Sequence, residues 1–339
     1  VIAGCGAITA SSHLPAALRS PRVEVAALVD PSTDRAEALA CQFGILPRVC
    51  RRLEEALETA DGVLVATPNH THLELAAAAI ERGLPVLVEK PMTAALEEAD
   101  RLCALAKERK IVVAVGFSTR FYPAVELMGR LLERKYFGAV RFLRYEFGTR
   151  GGWAPLSSYN LDRKAAGGGV VTVTGSHFLD RVIAWFGYPE VLEYRDDSFG
   201  GPEANAMGRL RFSPPDAAPF EAVFLLSKTA KLKNRLELET EAGVCELEES
   251  ESAEICLRPA TAPDLLARIS PSHPPGAVVR AAQAQLEDFV AAVREGRPPR
   301  VGCEAGRLSV KLTAELYAMR QPLPEPWMWY AVRRPEQHA

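Results

Sequence analysis

From Val1 to Val115 short apolar runs alternate with stretches of helical spacing, the pattern of βαβ units around a parallel sheet. Residues 1–3 form the end of a strand and 14–18 lie in a helix. Residues 23–29 make a second strand closing at Asp30, and 34–43 a helix with Asp34 and Glu37 near its positive end. Strands at 62–66, 85–88 and 111–115 alternate with helices at 72–82 and 96–107.

After Gly116 the pattern changes. A helix at 123–134 precedes a long, partly alternating strand at 140–147. Strand-like stretches follow at 206–212, 220–227, 235–240, 244–248 and 255–257, joined by short turns, which predicts a mainly antiparallel sheet. Helices at 278–295 and 304–319 close the pattern, and the Pro-rich segment after Gln321 is no regular helix. The expected fold is an α/β Rossmann domain over 1–118 and an α+β domain with an open sheet over 119–339.

Composition narrows the classes. At 339 residues the chain is long enough for two domains, and 48% apolar with 24% charged residues is a globular balance. A formal net charge of -3 gives no general affinity for nucleic acid or an anionic membrane, and no apolar run has the length of a span. Seven cysteines without C-x-x-C spacing argue against a disulfide framework and fit a reducing cytoplasm. Val1 stands where a strand is already under way, so a few upstream residues are expected.

Gly4-Cys5-Gly6-Ala7-Ile8-Thr9 lies between the first strand and first helix. The first Gly permits a tight turn, and the second lets backbone approach a pyrophosphate at the helix N-terminus. Asp30 ends the next strand, where a carboxylate binds ribose hydroxyls. Its charge repels a 2′-phosphate and favours NAD over NADP, although Arg35 nearby offers an alternative contact. Lys90 sits at the C-terminal end of a parallel strand, held extended by Pro91. An ammonium fixed there stabilises an alkoxide-like oxygen as hydride leaves. His177 has the pKa range for proton exchange with a hydroxyl.

Thr67-Pro68-Asn69-His70-Thr71-His72 and Glu89-Lys90-Pro91 follow two further strands. Gly116-Phe117, Arg120-Phe121, Gly167-Gly168-Gly169 and Gly175-Ser176-His177 with Asp180 come later. Together these resemble the glucose–fructose oxidoreductase / inositol dehydrogenase / MocA (Gfo/Idh/MocA) family over nearly the whole chain. The resemblance implies a nicotinamide cofactor between the two domains and a sugar-, cyclitol- or polyol-like substrate. It implies catalytic roles for Lys90 and His177. Cofactor contacts fall to Gly4, Gly6, Ala7, Ile8, Asp30, Thr67, Pro68, Asn69, His72, Glu89 and Lys90. Substrate contacts fall to Arg120, Trp153, Tyr159, Arg163 and Val173 beside Lys90 and His177, with Asp162 a further candidate. Asp180 either orients His177 or pairs with a neighbour such as Arg181. No metal site is expected, because His70 and His72 lack partner ligands at suitable spacing. A homodimer or homotetramer is expected.

The function that follows is NAD(P)-dependent dehydrogenation or reduction of a sugar-like secondary alcohol or ketone. Two alternatives are a redox-neutral NAD-dependent glycosidase or lyase, and a non-catalytic dinucleotide or sugar sensor. One position departs from the family. Many members carry Asp four residues before the His, and here that residue is Val173, flanked by Thr172 and Thr174. A valine gives an apolar site wall; a shift of register would put a threonine hydroxyl there instead.

Overall fold

Three-residue strands of Val, Leu and Ala, buried on both faces, make most of the first sheet. The structure is a computed structural model describing residues 1–151, 158–249, 254–271 and 277–323. Strands β1 (Ile2–Ala3), β2 (Ala27–Val29), β3 (Arg48–Cys50), β4 (Val63–Val65), β5 (Val86–Val88) and β6 (Val113–Val115) pair in parallel in the order β3-β2-β1-β4-β5-β6. The order reverses beside β1, and ligands of open α/β sheets bind beyond the strand ends at such a point. Helices α1 (Leu14–Arg19), α2 (Thr33–Phe43), α3 (His72–Glu81) and α4 (Leu96–Arg109) join the strands.

The strand expected over 23–29 begins only at Ala27, because Val23 closes a turn onto Ser20 O at 3.5 Å. β3 had no counterpart in the pattern: of its three residues only Cys50 is buried.

Helices α5 (Pro123–Glu133), α6 (Arg163–Ala166) and α7 (Ser176–Phe186) belong to the second half. Its sheet holds β7 (Val140–Gly148), β8 (Glu190–Asp196), β9 (Asn205–Phe212), β10 (Phe220–Ser227), β11 (Arg235–Thr240), β12 (Gly243–Glu248), β13 (Ile255–Pro259), β14 (Ala267–Ile269) and β15 (Arg320–Pro322). The order is β14-β13-β12-β11-β7-β10-β9-β8-β15. Most neighbours are antiparallel, as expected, but β7 with β10 and β8 with β15 are parallel. The long excursion through α6 and α7 before the chain returns permits the first of these.

Alternation along these strands sends Leu143, Tyr145, Leu210, Phe224, Leu236 and Leu238 inward onto Met128 of α5 and Phe178 and Val182 of α7. The other face carries paired charges, such as Arg209 with Glu221 at 2.8 Å and Arg258 with Glu246 at 2.7 Å. Helices α8 (Ala277–Glu295) and α9 (Cys303–Ala318) return to the first sheet. Leu286 and Phe289 of α8 pack with Ile2, Leu28 and Leu64. Val115 N donates to Val301 O at 2.9 Å, and Gln285 Nε2 to Val115 O at 2.8 Å. No helix among the described residues is long and apolar enough to cross a membrane.

Candidate active site

The first βα turn is shaped for close backbone approach. Gly4 has φ +97°, and a Cβ there would stand 2.4 Å from Ala66 O, so turn and neighbouring strand admit only glycine. A Cβ on Gly6 would meet nothing within 4 Å, so the space before the helix is open. Ala7 and Ile8 are exposed beside it, at a helix start whose first N–H groups have no intrahelical partner. Thr9, in the position usual for Gly or Ala, is buried and donates its hydroxyl to Gly4 O at 2.6 Å. It ties the turn to the helix rather than obstructing it.

Asp30 takes Cys5 N on Oδ2 and Ser32 N on Oδ1, both at 2.9 Å. Each oxygen keeps acceptor capacity for a ribose hydroxyl. Arg35 stands 3.7 Å from the same carboxylate, its charge already answered. An open cradle, free helix N–H groups and an anchored carboxylate suit a dinucleotide.

The Thr-Pro-Asn and Glu-Lys-Pro turns meet at the ends of β4 and β5. Asn69 is buried and its Nδ2 donates to Ala166 O at 2.7 Å, joining the first domain to the Gly-rich segment of the second. His72 is not where a cofactor contact belongs. Its ring is fully buried, with Nδ1 3.0 Å from Pro91 O and Nε2 2.9 Å from Thr67 O, so it fastens the two turns together. Burial lowers its pKa, against the upward pull of those carbonyls and Glu89. His70 is exposed.

Glu89 is held from several sides. Its Oε1 lies 2.7 Å from His13 Nε2, and its Oε2 accepts Lys90 N at 2.9 Å. Burial raises its pKa, but the His13 hydrogen bond and charge, with the Lys90 charge, outweigh this and hold it low. A Cβ on Gly116 would come within 2.9 Å of Glu89 Cα, so the Gly-Phe turn makes the room Glu89 occupies.

Lys90 projects across to the second domain, where Nζ donates to Val173 O at 2.7 Å. Burial lowers its pKa, and Glu89 opposes that. Val173 therefore meets the lysine through its carbonyl. The segment Val171–Gly175 winds as a π-helix, an expanded turn common at functional sites. Of the two flanking threonines, Thr172 is buried with Oγ1 3.2 Å from Gly167 O and 3.0 Å from Tyr317 OH, while Thr174 is half-buried.

His177 opens α7, its Nδ1 3.3 Å from Thr119 Oγ1 and its ring edge-on to Phe117 at 5.9 Å. Burial, then the charges of Lys90 and Arg181, hold its pKa well below 6.5, so the imidazole is neutral at pH 7.

Several expected substrate contacts are engaged elsewhere. Arg120 grips Asp180 through two bonds of 2.5 and 2.6 Å, and Asp180 is buried, so neither reaches out nor orients His177 directly. The local pair suggested for Asp180 is with Arg120, while Arg181 binds Glu249 at 2.6 Å. Arg163 lies over the Tyr317 ring at 5.2 Å, and Asp162 caps α6 by accepting Lys164 N at 2.8 Å. Tyr159 stays near the site; burial and then Glu89 raise its pKa. Trp153 lies outside the described residues.

Three contributors escaped the sequence reading. His13 lies just before the first helix read from the sequence, and nothing there tied it to Glu89. Thr119 lies inside a recognised motif without being singled out. Lys228, just past β10, is partly buried; burial and then the charge of Lys90 lower its pKa. No carboxylate pairs with it among the described residues.

With this geometry in place the comparisons are specific. Residues 1–117 match the family model described as "Oxidoreductase family, NAD-binding Rossmann fold", GFO_IDH_MocA. The rhizopine catabolism protein MocA of Rhizobium meliloti is 28% identical over 291 residues, 84% of each chain. Residues 1–117 thus carry the NAD-binding Rossmann fold of the Gfo/Idh/MocA oxidoreductase family, and the chain is similar to the family member MocA along most of its length. UDP-N-acetylglucosamine 3-dehydrogenase of Acidithiobacillus ferrooxidans is 34% identical over 123 residues, only 37% of that protein's length. Among solved structures, aldose-aldose oxidoreductase from Caulobacter crescentus superimposes with TM-score 0.82 at 22% identity, covering 94% of this chain and 96% of that one. A levoglucosan dehydrogenase complex with NADH and levoglucosan gives 0.81 at 20% identity, covering 94% and 95%. At such identities these two show the fold, a Rossmann sheet joined to a mainly antiparallel one.

Proposed function

We propose that the protein is an NAD-dependent dehydrogenase that transfers hydride between nicotinamide and a secondary alcohol or ketone of a sugar- or cyclitol-like substrate. The observation that carries the reading is Lys90. It is a half-buried ammonium at the C-terminal end of β5, held by one carbonyl of the opposite domain and close enough for its charge to lower the pKa of the His177 imidazole. Residues 1–118 would hold the cofactor and 119–339 supply the substrate side, with Pro68 and Asn69 the residues that would line the nicotinamide.

One of Lys90's three N–H bonds is spent on Val173 O, which leaves two for a substrate oxygen. With Nδ1 of His177 turned to Thr119, Nε2 is the nitrogen available to take the hydroxyl proton. Lys90 stabilises the oxygen's developing charge as the carbon loses hydride. Bound nicotinamide supplies the hydride acceptor. Glu89, fixed by His13, holds the Lys90 backbone in place.

Val173 replaces an acid with an apolar residue, so the substrate is better accommodated with a deoxy, methyl or aglycone-bearing position there than as free glucose or myo-inositol. The redox-neutral and sensor alternatives have no feature of their own to support them. The test is nicotinamide reduction on a panel of sugars and cyclitols. Activity is expected on modified sugars, and brisk turnover of free glucose or myo-inositol would overturn the Val173 corollary. A homo-oligomer built on the charged outer face of the second sheet completes the proposal.

A further inference from the structure

Glu203, just before β9, is a fully buried carboxylate that the reaction described above does not use. A carboxylate taken out of water is stable only among donors, and this one has three. Its Oε2 accepts Gly169 N at 2.9 Å and its Oε1 accepts Val171 N at 3.0 Å. The Tyr317 hydroxyl of α9 donates to the same Oε1 at 2.8 Å and meets Thr172 Oγ1 at 3.0 Å. The main chain joins in, with Val170 N donating to Glu203 O at 2.8 Å. The Gly-rich motif makes the room, since a Cβ on Gly169 would collide with the Glu203 backbone. Glu203 thus grips the start of the π-helix Val171–Gly175. From there the bonds run on to the reacting edge. Val173 N donates to Gly169 O at 2.9 Å, and Val173 O accepts Lys90 Nζ at 2.7 Å.

We propose that Glu203 is a positioning residue for Lys90: it fixes the turn whose Val173 carbonyl holds the lysine ammonium, and Tyr317 locks Glu203 in that place. This rests on the role given to Lys90 in the proposed reaction. The first N–H groups of a helix have no intrahelical partner. Glu203 takes two of them as a capping side chain does, although it comes from 32 residues along the chain from Val171. With only N–H and O–H donors around it, both of its oxygens act as acceptors. Holding the start of the turn fixes where the Val173 carbonyl points. Lys90 spends one N–H on that carbonyl and keeps two for the substrate oxygen. A displaced carbonyl therefore turns the other two away from the oxygen they must meet.

The experiment uses two variants of the full chain. Glu203→Gln keeps the size, removes the buried charge and aims an amide NH2 at one of the two N–H groups. Tyr317→Phe is milder, and it decides the matter if Glu203→Gln does not fold. Lys90 is read without any substrate, by competitive acetylation with acetic anhydride across pH and mass spectrometry of its peptide. A bond to a carbonyl favours the ammonium, so weakening it is expected to move the Lys90 midpoint to lower pH, by about one unit at full loss, with cofactor affinity unchanged. Turnover of Glu203→Gln is expected to fall about tenfold or more with KM little changed. In a Lys90→Met background the same substitution is expected to cost less than about twofold, because its effect passes through Lys90. A Lys90 midpoint that stays at its wild-type pH in both variants, or a loss of turnover as large without the lysine as with it, would overturn the proposal. A Lys90→Met protein as active as wild type would strike the proposed reaction instead, and the Lys90 midpoint alone would then decide whether Glu203 positions the lysine.

Discussion

At the residue scale the account rests on a few side chains whose settings differ from those of ordinary surface groups. Lys90→Met removes the positioned ammonium but no cofactor contact of the first turn. Cofactor affinity is expected to stay near wild type while turnover falls by about two orders of magnitude or more, the scale for losing one aimed donor; rapid kinetics beside a binding titration separates the two. Asp30 retains acceptor capacity for ribose hydroxyls, so the protein is expected to bind NAD(H) more tightly than NADP(H). Equal affinities by fluorescence titration would shift the role to Arg35. Because His177 has a pKa well below 6.5, kcat/KM is expected to be flat through neutrality, with its acid limb below pH 6.5. The same depression bears on stability. Below pH 6.5 the unfolded chain binds a proton that the folded His177 refuses, so stability falls as pH drops below that value. His72, lowered in the same direction, adds to it. Urea unfolding at a series of pH values reads the slope. Lys90 and His177 were legible because motif and strand position coincide. His13, Thr119 and Lys228 were not, because each gains its role from a partner at least 58 residues distant in sequence or from a charge across the cleft.

At the element scale, two π-wound turns do what no periodicity could announce. One, Thr9–His13, precedes α1 and ends on the residue that meets Glu89; the other, Val171–Gly175, leads into α7 and directs the Val173 carbonyl to Lys90. A π turn accommodates an extra residue, so hydrophobic spacing upstream and downstream still reads as one helix. Most helices and longer strands followed their apolar patterns to within a few residues, but α7 and β8 were not read, and neither was β3, whose single buried position makes no alternation. The Gly-Phe turn after β6 gives an element-scale test. Gly116→Ala forces a methyl group against the Glu89 backbone and carboxyl, so it is expected to cost about 1–3 kcal/mol of stability as an overpacking change. Chemical denaturation measures it, and a variant as stable as wild type would mean that Glu89 is loosely held.

At the scale of the whole molecule, the two halves are tied at more than one place. Asn69 reaches the second domain through Ala166 O, and α8 and α9 carry the chain back onto the first sheet. The two-sheet design was legible from the change of pattern after Gly116. The return of the last helices was not, since an amphipathic helix does not state which sheet it covers. The outer face of the second sheet, with its Arg–Glu pairs, is expected to meet a second copy. Light scattering at micromolar concentration is expected to give a dimer or larger, and a strictly monomeric mass would contradict this. The measurement that bears most directly on the central claim is NADH formation from NAD on modified sugars by wild type and Lys90→Met, each first confirmed to bind the cofactor. The account predicts substrate-dependent NADH formation that the substitution reduces about a hundredfold at unchanged cofactor affinity. NADH formation that persists at the wild-type rate in Lys90→Met, or a wild-type protein that binds no nicotinamide dinucleotide, would contradict it.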